Sequence, residues 1–295
     1  HPDERFLTMV ATSLSPVDGG WESYFDSSTS SLNPYNRGFG FFVYGTAPIF
    51  LVRYLAEWIN DFGVHLTNWW PASYIELGSG YDQIHLIGRI VSGICDVISG
   101  LTLYLIGALL YGRRVGFLAS VLYAGTVALV QQAHFFTVDS MANLVVVIAM
   151  FFAIRIIKFE GIYNYILFGV VLGAAVAFRI NLISLIVLVP LATFCKYTNI
   201  KTSISVKTLP LLVFAKFILV GIVSLLVFRI LQPYAFVGPS VLDVQLNMQW
   251  VDNMFEIRGQ MSGDVDFPPN HQWTDRKPLV FPLINMVRWG MGPAL

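Results

Sequence analysis

The chain has 295 residues, of which 56% are hydrophobic and 12% charged, with a formal net charge of zero and a mean hydropathy of +0.65. A soluble domain carries about twice that share of charge, so the composition is that of a membrane protein. Lys and Arg are scattered rather than gathered in a basic stripe, which excludes nucleic acid as a partner. Cys95 and Cys195 both fall in or beside apolar runs, where a bridge between them is not expected.

In chain order, the first ionisable cluster is HPDER, His1 to Arg5. Asp3 and Glu4 are adjacent, so on a helix they diverge and at most one can be the central group of a site. A solvated acidic turn beside a membrane helix is the plainer account of the pair. GFGFFVYGTAPIFLVRYLAEWI, residues 38–59, is apolar enough to consider as a span. Gly45, Pro48, Arg53 and Glu57 argue instead for a half-buried interfacial helix, because charge inside a bilayer is costly. NWWP then places Trp69 and Trp70 at an interface.

Runs of ~20 residues, the length a tilted helix needs, follow at 86–110, 115–132, 140–157, 162–178, 181–195 and 209–231. They predict a six-span bundle over residues 86–231. Cytoplasmic ends collect Lys and Arg. Arg113 and Arg114 follow the first span, Arg155 and Lys158 the third, and Lys196, Lys201 and Lys207 the fifth. Those ends are inside. Parity then puts the loop and juxtamembrane helix of residues 1–85, His134, Asp139, Arg179 and the segment 232–288 on the external face. Residues 289–295 start a further span, in what reads as a piece of a longer polytopic protein. Within 232–288, Val241, Val244, Met248, Val251 and Phe255 recur at helical spacing and predict an amphipathic surface helix.

Gly93, Gly100 and Gly107, seven apart, predict a close helix contact. Asp96 and Lys216 reach similar depths from opposite ends of their helices, and an ion pair between them is expected. The remaining polar residues of the external face are the candidates for a site. Asp139 starts the third span, where a helix dipole favours a carboxylate whatever its role. His134 precedes it and has an interfacial hydrogen bond as its plainer use. Arg179, in AFRINL, occupies a turn that does not need an arginine. Its always-charged fork suits a phosphate, whether a substrate's or a phospholipid's. Arg89 is a further lining candidate. Convergence of Asp3, Glu4, Asp139 and His134 would leave room for a divalent metal, although no ligand spacing fixes one, and no other cofactor is indicated. Trp250, Trp273 and Trp289 suit interfacial anchoring or stacking on a sugar.

This order of blocks resembles the GT-C superfamily of membrane glycosyltransferases, especially the protein O-mannosyltransferase-like and aminoarabinose-transferase-like group that uses polyprenyl-phosphate sugars. HPDE sits where that group has an acidic pair in its first external loop. YGTAPIFLVRYLAEW is similar to its juxtamembrane helix, and IGRIVSGICDVISGLTLYLIGALLYGRRVGFLAS to its second span, basic inner turn and third span. QQAHFFTVDSMA and GVVLGAAVAFRINL resemble later blocks, with Arg179 where a Lys is more usual, and PPNHQWTDRKPLVFPLINMVRWGMGP resembles an external loop entering a further span.

The resemblance implies an all-α, polytopic membrane helix bundle with external juxtamembrane helices, in the cell membrane with its site on the external face. Its partners would be membrane lipid, a polyprenyl-phosphate-linked sugar donor and a protein, glycan or lipid acceptor. Asp3 would be the general base with Glu4 beside it, Arg179 would hold the donor phosphate, and Trp250 and Trp273 would contact sugar or acceptor. A lipid phosphate is a good leaving group, so one base suffices and direct displacement inverts the anomeric centre, unlike the paired carboxylates of glycosidases. Two rivals stay open. A multi-pass secondary transporter would show inverted repeats and polar residues at the midplane, where only Asp96 and Lys216 lie; the other is a non-catalytic membrane assembly subunit.

Overall fold

A computed structural model describes residues 1–17, 20–66, 77–159, 161–199 and 208–292, so Trp69, Trp70, Lys201 and Lys207 lie outside the described residues. The architecture is all-α, and among the described residues the only β feature is an isolated antiparallel bridge between Phe236 and Leu246.

Helix α1 (Pro2–Ser13) opens on a proline, whose fixed φ suits a first turn. Leu7, Val10, Ala11 and Leu14 follow the i, i+3, i+4, i+7 stripe of an amphipathic helix, and all are fully buried. The short α2 (Gly20–Phe25) is tied on by Tyr24, whose hydroxyl donates to the Ile230 carbonyl at 2.7 Å. Helix α3 (Thr46–Leu66) begins eight residues later than the apolar run at 38. The delay has a steric cause: Gly45 lies so close to the Ala177 and Phe178 carbonyls that no side chain fits, and its N–H donates to Phe178 O at 3.2 Å. Arg53 and Glu57 pair with each other one turn apart on α3, which answers the charge cost noted in the sequence.

The bundle follows as α4 (Tyr81–Tyr111), α5 (Arg113–Ala124), α6 (Val127–Ala133), α7 (Val138–Lys158), α8 (Tyr163–Phe178), α9 (Leu188–Asn199) and α10 (Leu209–Leu231). Among the described residues, α4, α7, α10 and the run Ile180–Tyr197 are each long and apolar enough to cross a membrane. Residues 115–132 do not form one straight helix. Helices α5 and α6 meet at a 64° bend and make a fifth crossing if the pair is one span. Helix α8 is apolar but has only 16 residues; at the usual rise it reaches ~24 Å, less than a ~30 Å hydrocarbon core. Its Gly169 and Gly173 lie against Val223, Ser224 and Val227 of α10, so helix contact shapes this segment more than lipid contact does.

The glycine stripe on α4 is only partly a contact. A Cβ on Gly107 would lie 2.6 Å from Gly116 Cα on α5, Gly100 makes ordinary contact with Tyr123, and Gly93 faces open space. The expected Asp96–Lys216 ion pair does not form. Asp96 accepts from the Tyr123 hydroxyl at 2.7 Å, which accepts in turn from Asn143 at 2.7 Å. Lys216 lies instead over the Tyr165 ring, 5.0 Å from its centroid. Similar depth did not imply adjacency, because each helix also has a facing direction.

After α10, the helical periodicity from Val241 misleads. Helix α11 (Met248–Ser262) starts at an Asn247 cap, whose side chain accepts from Gln249 N at 3.1 Å. The residues before it turn instead, because Asp243 accepts from the Ser240 N–H at 2.9 Å and Gly238 has a φ of 108°. Arg229, 1% exposed at the end of α10, fixes that turn by donating to the Pro233, Gly238 and Ser240 carbonyls. Its guanidinium lies 4.7 Å from the Phe25 ring centroid and 5.2 Å from that of Phe236. Local turn chemistry anchored by a buried cation thus overrides the period of 3.6. The last helix, α12 (Val280–Asn285), runs into a π-helical turn, Met286–Met291, where Trp289 is exposed.

Two apolar clusters organise the molecule. One joins α1, α3 and the start of α4 to Phe136, Val138, Met141 and Tyr234; the other joins α7, α8, α9 and α10. The polar residues described next lie beside the first.

Candidate functional site

Asp3 and Glu4 share the first turn of α1 but diverge into different surroundings. Glu4 turns inward. Both carboxylate oxygens accept from Arg89 on α4, at 2.7 and 2.9 Å, and Oε1 also accepts from the Phe136 N–H at 2.9 Å. Burial alone would raise the Glu4 pKa, but Arg89 and the Phe136 N–H outweigh it, and the net shift is downward. A carboxylate held this way stabilises the fold above its ordinary pKa, and the contribution is lost as pH falls through the depressed value. Gly88 makes room for this arrangement, since any side chain there would run into the Phe136 ring.

Asp3 turns outward. Its side chain is 39% exposed, against 8% for Glu4. Of the adjacent pair, Asp3 is the carboxylate with oxygens left for a substrate, whereas every strong direction around Glu4 is taken.

Tyr44, in the loop before α3, lies near enough to Asp3, Arg179 and Asp139 for their charges to act on its hydroxyl. Burial, then the Asp3 charge, push its pKa up to about 12, so it is a neutral donor throughout the physiological range. The Tyr44 ring is held 5.7 Å from Phe6 and 6.2 Å from Phe42, centroid to centroid. Arg179 caps the C-terminus of α8 in an extended conformation, with φ of −146°. Its Nη2 lies 2.5 Å from Oδ1 of Asp139, in the first turn of α7. Thr137, not Asp139, is the N-cap of that helix, so the Asp139 side chain is available for this pairing.

One end of the molecule thus brings together Asp3, Glu4, Arg89, Asp139, Arg179 and Tyr44. His134 lies apart from the ion pairs, exposed, with Nδ1 2.6 Å from the Val130 carbonyl of its own helix. It lines a shallow hollow of about 500 Å³ at the α5–α6 bend together with Phe135. Trp250 packs on Phe228 at 6.2 Å, while its helix is pinned by Asn253, which donates to Tyr35 and to the Gly40 carbonyl. The backbone of Trp273 ends a 3-10 turn, Pro268–Trp273, and its side chain lies outside the described residues.

Among the described residues, no three His, Cys, Asp or Glu side chains gather as a metal ion would require. Glu4 and Asp139 are each directed to an arginine, and His134 to its own helix. Tyr44 and its support from Gly45 are the features that sequence reasoning missed. Their signal was the YG pair inside YGTAPIFL, read only as the approach to a helix.

The sequence model of the dolichyl-phosphate-mannose-protein mannosyltransferase family matches residues 84–228. Over that segment the chain is similar to the family. No curated protein and no solved structure matches the chain. The matched segment carries Arg89, His134, Asp139 and Arg179, while Asp3, Glu4 and Tyr44 lie outside it. Over residues 84–228 the chain is thus similar to a family of membrane mannosyltransferases.

Proposed function

We propose that the protein transfers a sugar, with mannose the first to test, from a polyprenyl-phosphate donor to an acceptor hydroxyl, at the external face of the cell membrane and with inversion. The observation that carries this reading is a half-exposed carboxylate, Asp3, at the same end of the bundle as a cation at a helix end, Arg179, with Tyr44–Gly45 packed between their two helices. Asp3 takes the proton of the acceptor hydroxyl as that oxygen attacks the anomeric carbon. The bond from that carbon to the phosphate oxygen breaks, and Arg179 exchanges Asp139 for the departing lipid phosphate. Glu4 and Arg89 do not act on the substrate; they fix the first turn of α1 against α4 and so aim Asp3.

The reading is tested with the full-length chain in proteoliposomes, supplied with polyprenyl-phosphate [³H]mannose or GDP-[³H]mannose and an acceptor panel of peptides, glycans and lipids. Label should move to an acceptor from the lipid-phosphate donor and not from the nucleotide sugar. Transfer from the nucleotide donor alone would remove the lipid phosphate from the mechanism.

A further inference from the structure

We propose that the turn after α10, residues 236–246, is a lipid-facing foot: it sinks to the headgroup–acyl boundary of the leaflet in which α10 ends, and so holds α11 beside the membrane surface. This needs only the membrane reading of the bundle, not the sugar-transfer mechanism.

The side chains of the turn are unsuited to water. Val237, Leu242, Val244 and Leu246 are all exposed, Leu242 by 79%, and Met248 continues the row into α11. Val244 and Met248 belong to the helical period read in the sequence; the helix does not form at 244, yet both side chains still face outward. The only charged residue between Phe236 and Met248 is Asp243. It turns back into the loop, accepting from the Ser240 N–H at 2.9 Å. An apolar patch without charge on its outer side marks a surface that meets something other than water.

Continuity with α10 says what that is. Helix α10 leaves Ile218, Ile222, Leu225 and Ile230 exposed along its length, as a crossing helix does toward lipid. The turn follows at once, and the Arg229 guanidinium at the end of α10 lies 5.2 Å from the Phe236 ring centroid. On the other flank, α2 is tied to the Ile230 carbonyl through Tyr24. It exposes Trp21 by 73%, a residue type enriched at the membrane–water interface.

The backbone of the turn suits the same depth. Near hydrocarbon a carbonyl without a donor is costly, and these carbonyls take donors from within the fold. Arg229 supplies Pro233, Gly238 and Ser240. The Asn247 side chain donates to Tyr234 O at 3.1 Å and its N–H to Ala235 O at 2.9 Å, while the Val237 N–H donates to Gln245 O at 2.8 Å. A loop bathed in water has no need of a buried arginine to satisfy its carbonyls.

The test uses the full-length chain in phosphatidylcholine–phosphatidylglycerol vesicles, with Cys95→Ala and Cys195→Ser. A spin label is placed singly at Leu242→Cys or Val244→Cys, with Ile222→Cys as the lipid reference and Asp264→Cys, exposed after α11, as the water reference. Power saturation with oxygen, which concentrates in lipid, and with a water-soluble nickel complex reads the depth of each label. Labels at 242 and 244 should lie ~5–10 Å into the headgroup–acyl boundary and favour oxygen as the label at 222 does. Nickel access at either position equal to that at 264 overturns the proposal. So does a label that neither reagent reaches, because protein would then cover the turn. A second readout keeps the native cysteines: Leu242→benzoylphenylalanine should photo-crosslink to phospholipid in the same vesicles, and a folded variant that yields no lipid adduct overturns the proposal equally.

Discussion

Asp3→Asn is expected to reduce sugar transfer by about 10²- to 10⁴-fold, the usual contribution of a general base, while donor binding and thermal stability stay near wild type. The amide is close to isosteric, but it cannot take the acceptor's proton. Because the Asp3 side chain is half-exposed, no buried partner is orphaned by the change. Glu4→Gln should show the opposite pattern. It retains most of the transfer activity but lowers the melting temperature, since two charge-assisted bonds from Arg89 and one from Phe136 lose their anionic acceptor. Bonds to charged groups contribute ~1.5–3 kcal/mol each, and the lower end applies here because Arg89 is 41% exposed. The stability difference between wild type and Glu4→Gln should narrow as pH falls through the depressed Glu4 pKa, where the wild-type carboxyl also becomes neutral. If Asp3→Asn were active and stable while a well-folded Glu4→Gln were dead, the base would be the buried residue.

The second large effect is on donor binding. Arg179→Ala should weaken binding of a polyprenyl-phosphate sugar about tenfold or more, and Arg179→Lys should lose less, because lysine keeps the charge but not the fork. Asp139 supplies a control. It occupies the guanidinium at 2.5 Å when no donor competes, so Asp139→Asn should leave donor affinity equal or tighter. Both partners are about one third exposed, and separating them should cost little stability. Equilibrium binding of a fluorescent polyprenyl-phosphate sugar to the three variants reads this directly. Unchanged affinity in Arg179→Ala would leave the residue as a helix-end partner of Asp139 and nothing more.

Much of the architecture could be read from elementary rules. Apolar runs of helical length and the avoidance of charge in a bilayer were enough to expect an all-α membrane bundle and a helix before the first span. Where that reading went wrong, a contact distant in sequence had decided the outcome. The helix expected from 38 waits until 46 because Gly45 must meet Phe178. The helix expected from Val241 waits for Asn247 because Arg229 holds Gly238 and Ser240 in a turn. Asp96 found Tyr123 rather than Lys216 because depth along a helix says nothing about its facing direction. The candidate residues were selected as polar groups at one end of the bundle, and chemistry of that kind is visible in a sequence. Their division of labour was not. Adjacent acids on one helix must diverge, but which of them met Arg89 depended on the packing of α1 against α4. The signal at Tyr44, the YG pair before the apolar helix, was passed over because a tyrosine beside an apolar helix usually marks an interface.

The central claim is a single displacement at the anomeric carbon, driven by one carboxylate and leaving a lipid phosphate. The most direct test is the configuration of the product. Full-length protein in proteoliposomes is given a polyprenyl-phosphate mannose of known anomeric configuration, ¹³C-labelled at C1, and the one-bond C1–H1 coupling of the glycosylated acceptor is measured by NMR. The account predicts a product of opposite configuration to the donor, formed by the wild type and lost in Asp3→Asn. A product that retains the donor's configuration would require a covalent sugar–enzyme intermediate and would contradict it.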